Sequence, residues 1–228
     1  MCKAKNKILN SEEVQRIVAA MVELYPQIES ELNFNNNFEL VCAVVLSAQT
    51  TDVAVNKVTP ELFSKYPDAD SMAAADIDDI SRLISSIGLY KNKAKYLKSL
   101  SQDLLDKYNS EIPATREDLI SLAGVGRKTA NVVLSNGFDI PAFAVDTHVN
   151  RVCKKFNFVP EDASVLEVEE VMCSKLPDSI WRQAHHSILL FGRYQCVARK
   201  HDHNKCIARI EEVLGELGEE EGFIDNSN

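Results

Sequence analysis

Three groups of residues have the types and spacing to do chemistry. The first centres on Lys128, two positions after Gly124-Val125-Gly126 and in the first turn of a helical run. The positive end of a helix dipole and the neighbouring Arg127 both work against a protonated amine there and favour a neutral, nucleophilic one. A helix–Gly-X-Gly–helix turn also aims several backbone N–H groups at one point, which suits a phosphate held without reading a base. Each glycine is expected to use its freedom at positive φ. A solvated surface lysine fits the same pattern. The second group is Asp146, which follows the apolar run Ala142–Val145 and precedes Val149 and Val152, as an N-cap does. The third is Cys196, His201, His203 and Cys206. Cys196, Cys206 and one of the two histidines are spaced to converge on zinc, but no fourth ligand is evident and no metal is expected. His185 and His186 are adjacent and so point to different helix faces; they read as structural or phosphate-facing.

The elements that must position these residues are all helical by their periodicity. Thr115 with Asp118 starts the first arm of the hairpin, with Leu119, Ile120 and Leu122 following; the second arm carries Ala130, Val133 and Leu134 and stops near Gly137. Earlier helices are predicted over Ser11–Tyr25, Phe38–Leu46, Asp52–Tyr66, Asp76–Ile87 and Asn92–Tyr108. Phe38–Leu46 is apolar almost all round, so it should be central and buried. Asp52 is expected to cap its helix and Gly88 to terminate the one before it. Ser164 and Glu167 form a capping box for a helix to Leu176, and a further helix covers Asp178–Phe191. The fold class is therefore all-α.

Composition narrows the classes. The chain has 228 residues, 45% of them hydrophobic, enough for one domain or two small ones. No run of about twenty apolar residues exists, so no membrane span is expected, and the opening MCKAKNKILN lacks the apolar core of a secretory signal. Net charge is −9, which superficially argues against a nucleic-acid partner. Seven of the acids fall in residues 211–228, which hold no Lys or Arg, so the first 210 residues carry a net charge of only −2. Basic residues gather at Lys91, Lys93, Lys95 and Lys98, at Arg127 and Lys128, and at Arg193, Arg199, Lys200 and Lys205, a distribution compatible with DNA. Six cysteines without a disulfide-like framework suggest a reducing compartment, with Cys42 in the core.

LAGVGRKTANVVL followed after a short gap by AVDTHVNRV resembles the endonuclease III-like helix–hairpin–helix DNA glycosylases of the Gly/Pro-Asp superfamily, from roughly Leu32 to Arg199. The resemblance implies two helical lobes, residues 32–139 with six helices and residues 1–31 plus 140–210, an active-site cleft between them, and an acidic tail at 211–228. It implies a base-excision-repair bifunctional glycosylase and abasic-site lyase for oxidised pyrimidines, with Lys128 and Asp146 catalytic. Gln49 in LSAQTTD and Leu89 in IGLY would replace the extruded nucleotide. Asp52, Lys91, Gly124, Gly126, Arg127, His148 and Arg193 would lie on the DNA, with Lys93 near a phosphate and a monovalent cation at the hairpin. From the residues alone, Leu89 reads instead as part of a helix stop, packed back on its own helix. The implied partner is damaged or abasic double-stranded DNA, bound by a monomer in the cytoplasm, on the nucleoid if bacterial.

The chain departs from the family in one place. Four cysteines that usually hold a [4Fe–4S] cluster fall here at Cys196, His203, Cys206 and Glu212, so two thiolates are missing and no cluster is expected. Two rival readings are a non-catalytic helix–hairpin–helix DNA-binding module, disfavoured by the Lys128 and Asp146 pair, and a glycosylase for oxidised guanine. Adenine-excising relatives generally lack the lysine and carry an added C-terminal domain, which disfavours that specificity.

Overall fold

The computed structural model describes residues 7–26 and 30–224. Every regular element among them is helical: α1 (Ser11–Leu24), α2 (Asn37–Ser47), α3 (Asp52–Lys65), α4 (Ala69–Ala74), α5 (Ile77–Leu83), α6 (Tyr90–Tyr108), α7 (Arg116–Ser121), α8 (Arg127–Gly137), α9 (Thr147–Lys155), α10 (Val165–Lys175), α11 (Trp181–Tyr194) and α12 (His203–Ile224), with a single 3-10 turn at Asp178–Ile180. The all-α class predicted from periodicity is the class observed. The chain divides into two units, Ser30–Ala142, and Met1–Glu29 with Phe143–Asn228.

In the Ser30–Ala142 unit, α2 is the centre. Phe38 to Leu46 are all buried, and α3, α6 and α8 pack around them. Asn36 caps this helix by accepting from the Glu39 amide at 2.9 Å. The buried Glu39 carboxylate is satisfied by the amide and side-chain N–H of Asn35, at 2.7 and 2.9 Å. A buried acid without such donors would cost several kcal/mol, about 2–7 for a polar group left unpaired. Gly137 lets the end of α8 close on the start of α2, since a Cβ there would lie 2.6 Å from Asn37 Oδ1.

Three local expectations are corrected. Thr51, not Asp52, caps α3, its hydroxyl accepting from the Ala54 amide at 3.3 Å, and Asp52 is the first helical residue. α5 ends at Leu83, earlier than Gly88, because Ile84 and Ile87 turn into the core through non-helical bends. α4 was not foreseen; six residues are too few to display a period, and Asp68 with Ser71 forms its capping box.

In the other unit, α1 packs on α10, α11 and α12, and α9 packs on α10 and α11. Met21, Phe143, Phe158 and Phe191 are fully buried in this core. Helix α12 runs unbroken across positions 210 and 211. Ile210 and Val213 are buried and Leu214 and Leu217 pack on the same core, each fully buried side chain contributing about 1.5–3 kcal/mol. The acidic stretch is thus helical through Ile224 and packs on this core as far as Leu217; its last four residues lie outside the described ones. Among the described residues no helix is long and apolar enough to cross a membrane.

Candidate active site

The hairpin is assembled from short-range capping. Thr115 Oγ1 accepts from the Asp118 amide at 3.2 Å, and Leu119 and Leu122 anchor α7 in the core. The chain then turns, with the Val125 amide donating to Leu122 O at 3.1 Å. Gly124 is left-handed (φ +79°), and a Cβ there would meet Tyr96 Cβ and Cγ at 2.9 Å, so glycine is required twice over. Gly126 differs from expectation. Its φ is −98°, and nothing lies within 4 Å of a Cβ placed there. It is the N-cap of α8 and, lacking a side chain, makes no side-chain capping bond to the first turn. Arg127 and Lys128 are the first two residues of α8, and both are exposed. Arg116 Nε donates to Oδ1 of the fully buried Asn131 at 2.8 Å, clasping the two arms.

A second feature of this unit is a pair of strained turns. Gln49 (φ 54°) and Leu89 (φ 60°) are both left-handed without being glycine, and both are exposed, Leu89 by 56%. Such backbone costs about 1–3 kcal/mol and recurs at functional sites. Leu89 is the N-cap of α6, its carbonyl accepting from the Asn92 and Lys93 amides at 3.0 Å. Its backbone thus opens α6, and its side chain stays more than half exposed. Lys93 is not a surface cation: it is 3% exposed, and its Nζ donates to Thr50 Oγ1 at 2.5 Å. Burial pushes its pKa down. Lys91, by contrast, is exposed in the first turn of α6, and Asp52 is half-buried.

In the other unit Asp146 is the N-cap of α9. Its Oδ1 accepts from the His148 and Val149 amides, both at 2.8 Å. Among the described residues Oδ2 accepts no hydrogen bond, and the residue is half-buried. One oxygen is thus structural and the other available to a substrate. His148 is half-buried, with Nδ1 3.2 Å from Arg151 Nη2. Arg151 in turn donates to Gly192 O at 2.7 Å and, through Nε, to Cys196 O at 3.0 Å. Arg193 is half-buried in the last turn of α11. His185 is structural: it is buried, and its Nδ1 lies 2.7 Å from Ala144 O.

The C-terminal loop overturns the reading that a fourth metal ligand is lacking. Ligand atoms of Cys196, His201, His203 and Cys206 all lie within 4.8 Å of one another. Both histidines join the cysteines, where only one had been allowed for. Glu212, at the fourth of the family's cluster positions, is exposed and paired with Arg209 instead. Burial pushes the Cys196 thiol up to about 12, raises Cys206, and holds the His203 imidazole below its ordinary value. Sequence reasoning also missed Asn131, Arg151 and the burial of Lys93. Only the first had a signal, as an asparagine on the apolar face of α8.

Residues 42–177 match the model of the HhH-GPD superfamily base excision DNA repair proteins, and the chain belongs to that superfamily. It is 45% identical over 192 residues to endonuclease III of Bacillus subtilis (strain 168), covering 84% of this chain and 88% of that protein. It is 41% identical over 199 residues to endonuclease III of Escherichia coli (strain K12), covering 87% and 94%. A solved trapped endonuclease III–DNA covalent intermediate, the estranged-adenine complex, is similar at a TM-score of 0.83 with 45% identity, over 87% of this chain and 93% of that one. A non-covalent endonuclease III–DNA complex is similar at 0.84 with 42% identity, over 92% and 99%.

Proposed function

We propose that this chain is a bifunctional DNA glycosylase and abasic-site lyase that removes oxidised pyrimidines from double-stranded DNA. The observation that carries the reading is Lys128, exposed at the second position of α8 directly behind the Gly124–Gly126 turn, in a chain 45% identical to an endonuclease III.

The base must leave the stack to react, at a cost of a few kcal/mol that is least where pairing is already weakened. Gln49 and Leu89 enter the vacated space from their strained turns, as apolar wedges do elsewhere. Backbone N–H groups of the Gly124–Lys128 turn other than that of Val125 hold a phosphate, and Asp52, Lys91, Arg127, His148 and Arg193 contribute further contacts to the DNA. Lys128 Nζ attacks C1′, forming a C–N bond while the glycosidic bond breaks and its electron pair leaves with the base. Asp146 Oδ2 takes the proton from Nζ or stabilises the positive charge on the sugar. Ring opening gives an iminium. Loss of a C2′ proton then expels the 3′-phosphate by β-elimination, and water hydrolyses the iminium to regenerate the lysine.

The chain acts as a monomer in the cytoplasm, and it does not carry the family's [4Fe–4S] cluster. Supporting the latter, only two of the four usual thiolate positions are cysteines, and Glu212 is committed to Arg209.

Borohydride trapping on duplexes bearing thymine glycol, oxidised guanine or an abasic site tests the activity. A covalent adduct with the thymine glycol and abasic duplexes, and weaker trapping with oxidised guanine, is expected. No adduct with any of them would overturn the lyase assignment.

A further inference from the structure

We propose that Cys196, His201, His203 and Cys206 bind one zinc ion as a closed structural site. The pattern is Cys-x4-His-x-His-x2-Cys within eleven residues. It differs from the family's cluster register by recruiting His201 and leaving out Glu212.

Geometry supports a single ion. With Zn–S near 2.3 Å and Zn–N near 2.0–2.1 Å, a tetrahedral site has edges of about 3.3–3.8 Å. Cys196 Sγ and His203 Nδ1 are 3.7 Å apart, and the whole quartet fits within 4.8 Å. A four-thiolate cube needs donors this chain lacks. A Rieske-type [2Fe–2S] centre uses two cysteines and two histidines, but on separate irons, which spreads the donors wider than this quartet.

The imidazoles are already oriented as ligands. His201 Nδ1 lies 2.9 Å from Arg199 O, and His203 Nε2 lies 3.1 Å from Lys155 O. A carbonyl only accepts, so each of those nitrogens carries the N–H and the opposite nitrogen holds a lone pair. For His201 that nitrogen, Nε2, is buried and has no hydrogen-bond partner. A buried acceptor left unpaired costs about 1–3 kcal/mol, and a metal ion removes the deficit. Cys196 and Cys206 are both buried, so the site has no open position and its role is structural. It joins the end of α11 to the start of α12. Through Lys155 O and the Arg151–Cys196 O bond it also fixes the loop to α9. The exposed Arg199 and Lys200 are carried on that loop, and Lys205 on the first turn of α12.

The full-length protein, purified without added metal, is assayed for metals by mass spectrometry and for free thiols. About one zinc per chain is expected, with little iron or acid-labile sulfide. His201→Ala and Cys206→Ser should each lower zinc content several-fold, whereas Glu212→Ala should leave it unchanged. Should those variants fail to fold, the wild-type protein stripped by chelator and reloaded with cobalt still decides. Thiolate-to-cobalt charge transfer and tetrahedral d–d bands in stoichiometric amount support the site. A colourless protein that takes up no zinc or cobalt, a Cys196–Cys206 disulfide, a brown iron–sulfide protein, or zinc retained in a folded His201→Ala variant would each overturn it.

Discussion

The Lys93 ammonium, buried beneath the start of α6, donates to Thr50 Oγ1 at 2.5 Å and so ties the Gln49 turn to the Leu89 turn. The two residues proposed to fill the space left by a flipped nucleotide thereby share one internal strut. Lys93→Met removes the strut while relieving the burial of a charge. Cleavage of an intact lesion duplex should fall roughly twentyfold, about 1.8 kcal/mol and within the 1.5–3 kcal/mol span of a charged hydrogen bond, yet stability near neutral pH should match or exceed wild type. The sign with pH follows from the lowered folded-state pKa. The unfolded chain binds this proton more tightly, so the wild type gains stability as pH rises through the folded value toward 10.5, and the variant does not. Denaturant titrations of both proteins across the alkaline range check it.

Lys128→Gln should abolish borohydride trapping and strand cleavage. Binding to abasic DNA should survive, because the phosphate contacts at the hairpin come from backbone N–H groups. A trapped adduct at wild-type rate would place the nucleophile elsewhere.

Asp146→Asn keeps an oxygen for the His148 and Val149 amides, so folding should change little. Turnover should fall by about a hundredfold or more. Asp146→Ala should match that loss and also cost about 1 kcal/mol of stability through the lost cap. Single-turnover rates and thermal melts on the two variants separate the roles of the two oxygens.

Leu89→Gly should raise stability by about 0.5–1 kcal/mol, because glycine adopts φ near 60° without strain. The same change should impair cleavage of a paired lesion, with a smaller loss on a substrate already mispaired there. Gln49→Ala should show the same substrate dependence. Equal losses on both substrates would confine these side chains to a supporting role.

The two hairpin glycines should respond differently. Gly124→Ala places a methyl against the root of the Tyr96 side chain at a positive φ, and should destabilise by about 2 kcal/mol or more. Gly126→Ala meets open space and should fold normally. Melting temperatures of the pair test this directly.

Much of this was legible in the sequence because it depends on local rules. The central burial of α2 followed from an unbroken apolar run, and the caps at Thr115, Asp146 and Ser164 followed from residue type and position. What failed depended on tertiary packing. Lys93 looked like one more surface lysine, since nothing local says that α6 turns it toward Thr50. Gly88 looked like the left-handed stop, but the strained backbone falls on Leu89. Helix α12 was obscured by its acids, although Ile210, Val213, Leu214 and Leu217 recur at three- and four-residue intervals. The fourth ligand was missed because His201 and His203 were treated as alternatives, when a loop leading into a helix can present both.

The discontinuity of the Met1–Glu29 and Phe143–Asn228 unit has a consequence for biosynthesis. Helix α1 leaves the ribosome before the whole Ser30–Ala142 unit, but its principal neighbours α11 and α12 are made only after it. At about 5–20 residues per second, Val14, Val18 and Met21 wait on the order of ten to thirty seconds for the helices that cover them. The Ser30–Ala142 segment can complete its own core during that interval. The nascent chain thus carries a finished middle and an adhesive α1, which makes α1 a natural client for a holding chaperone until α11 and α12 have been made.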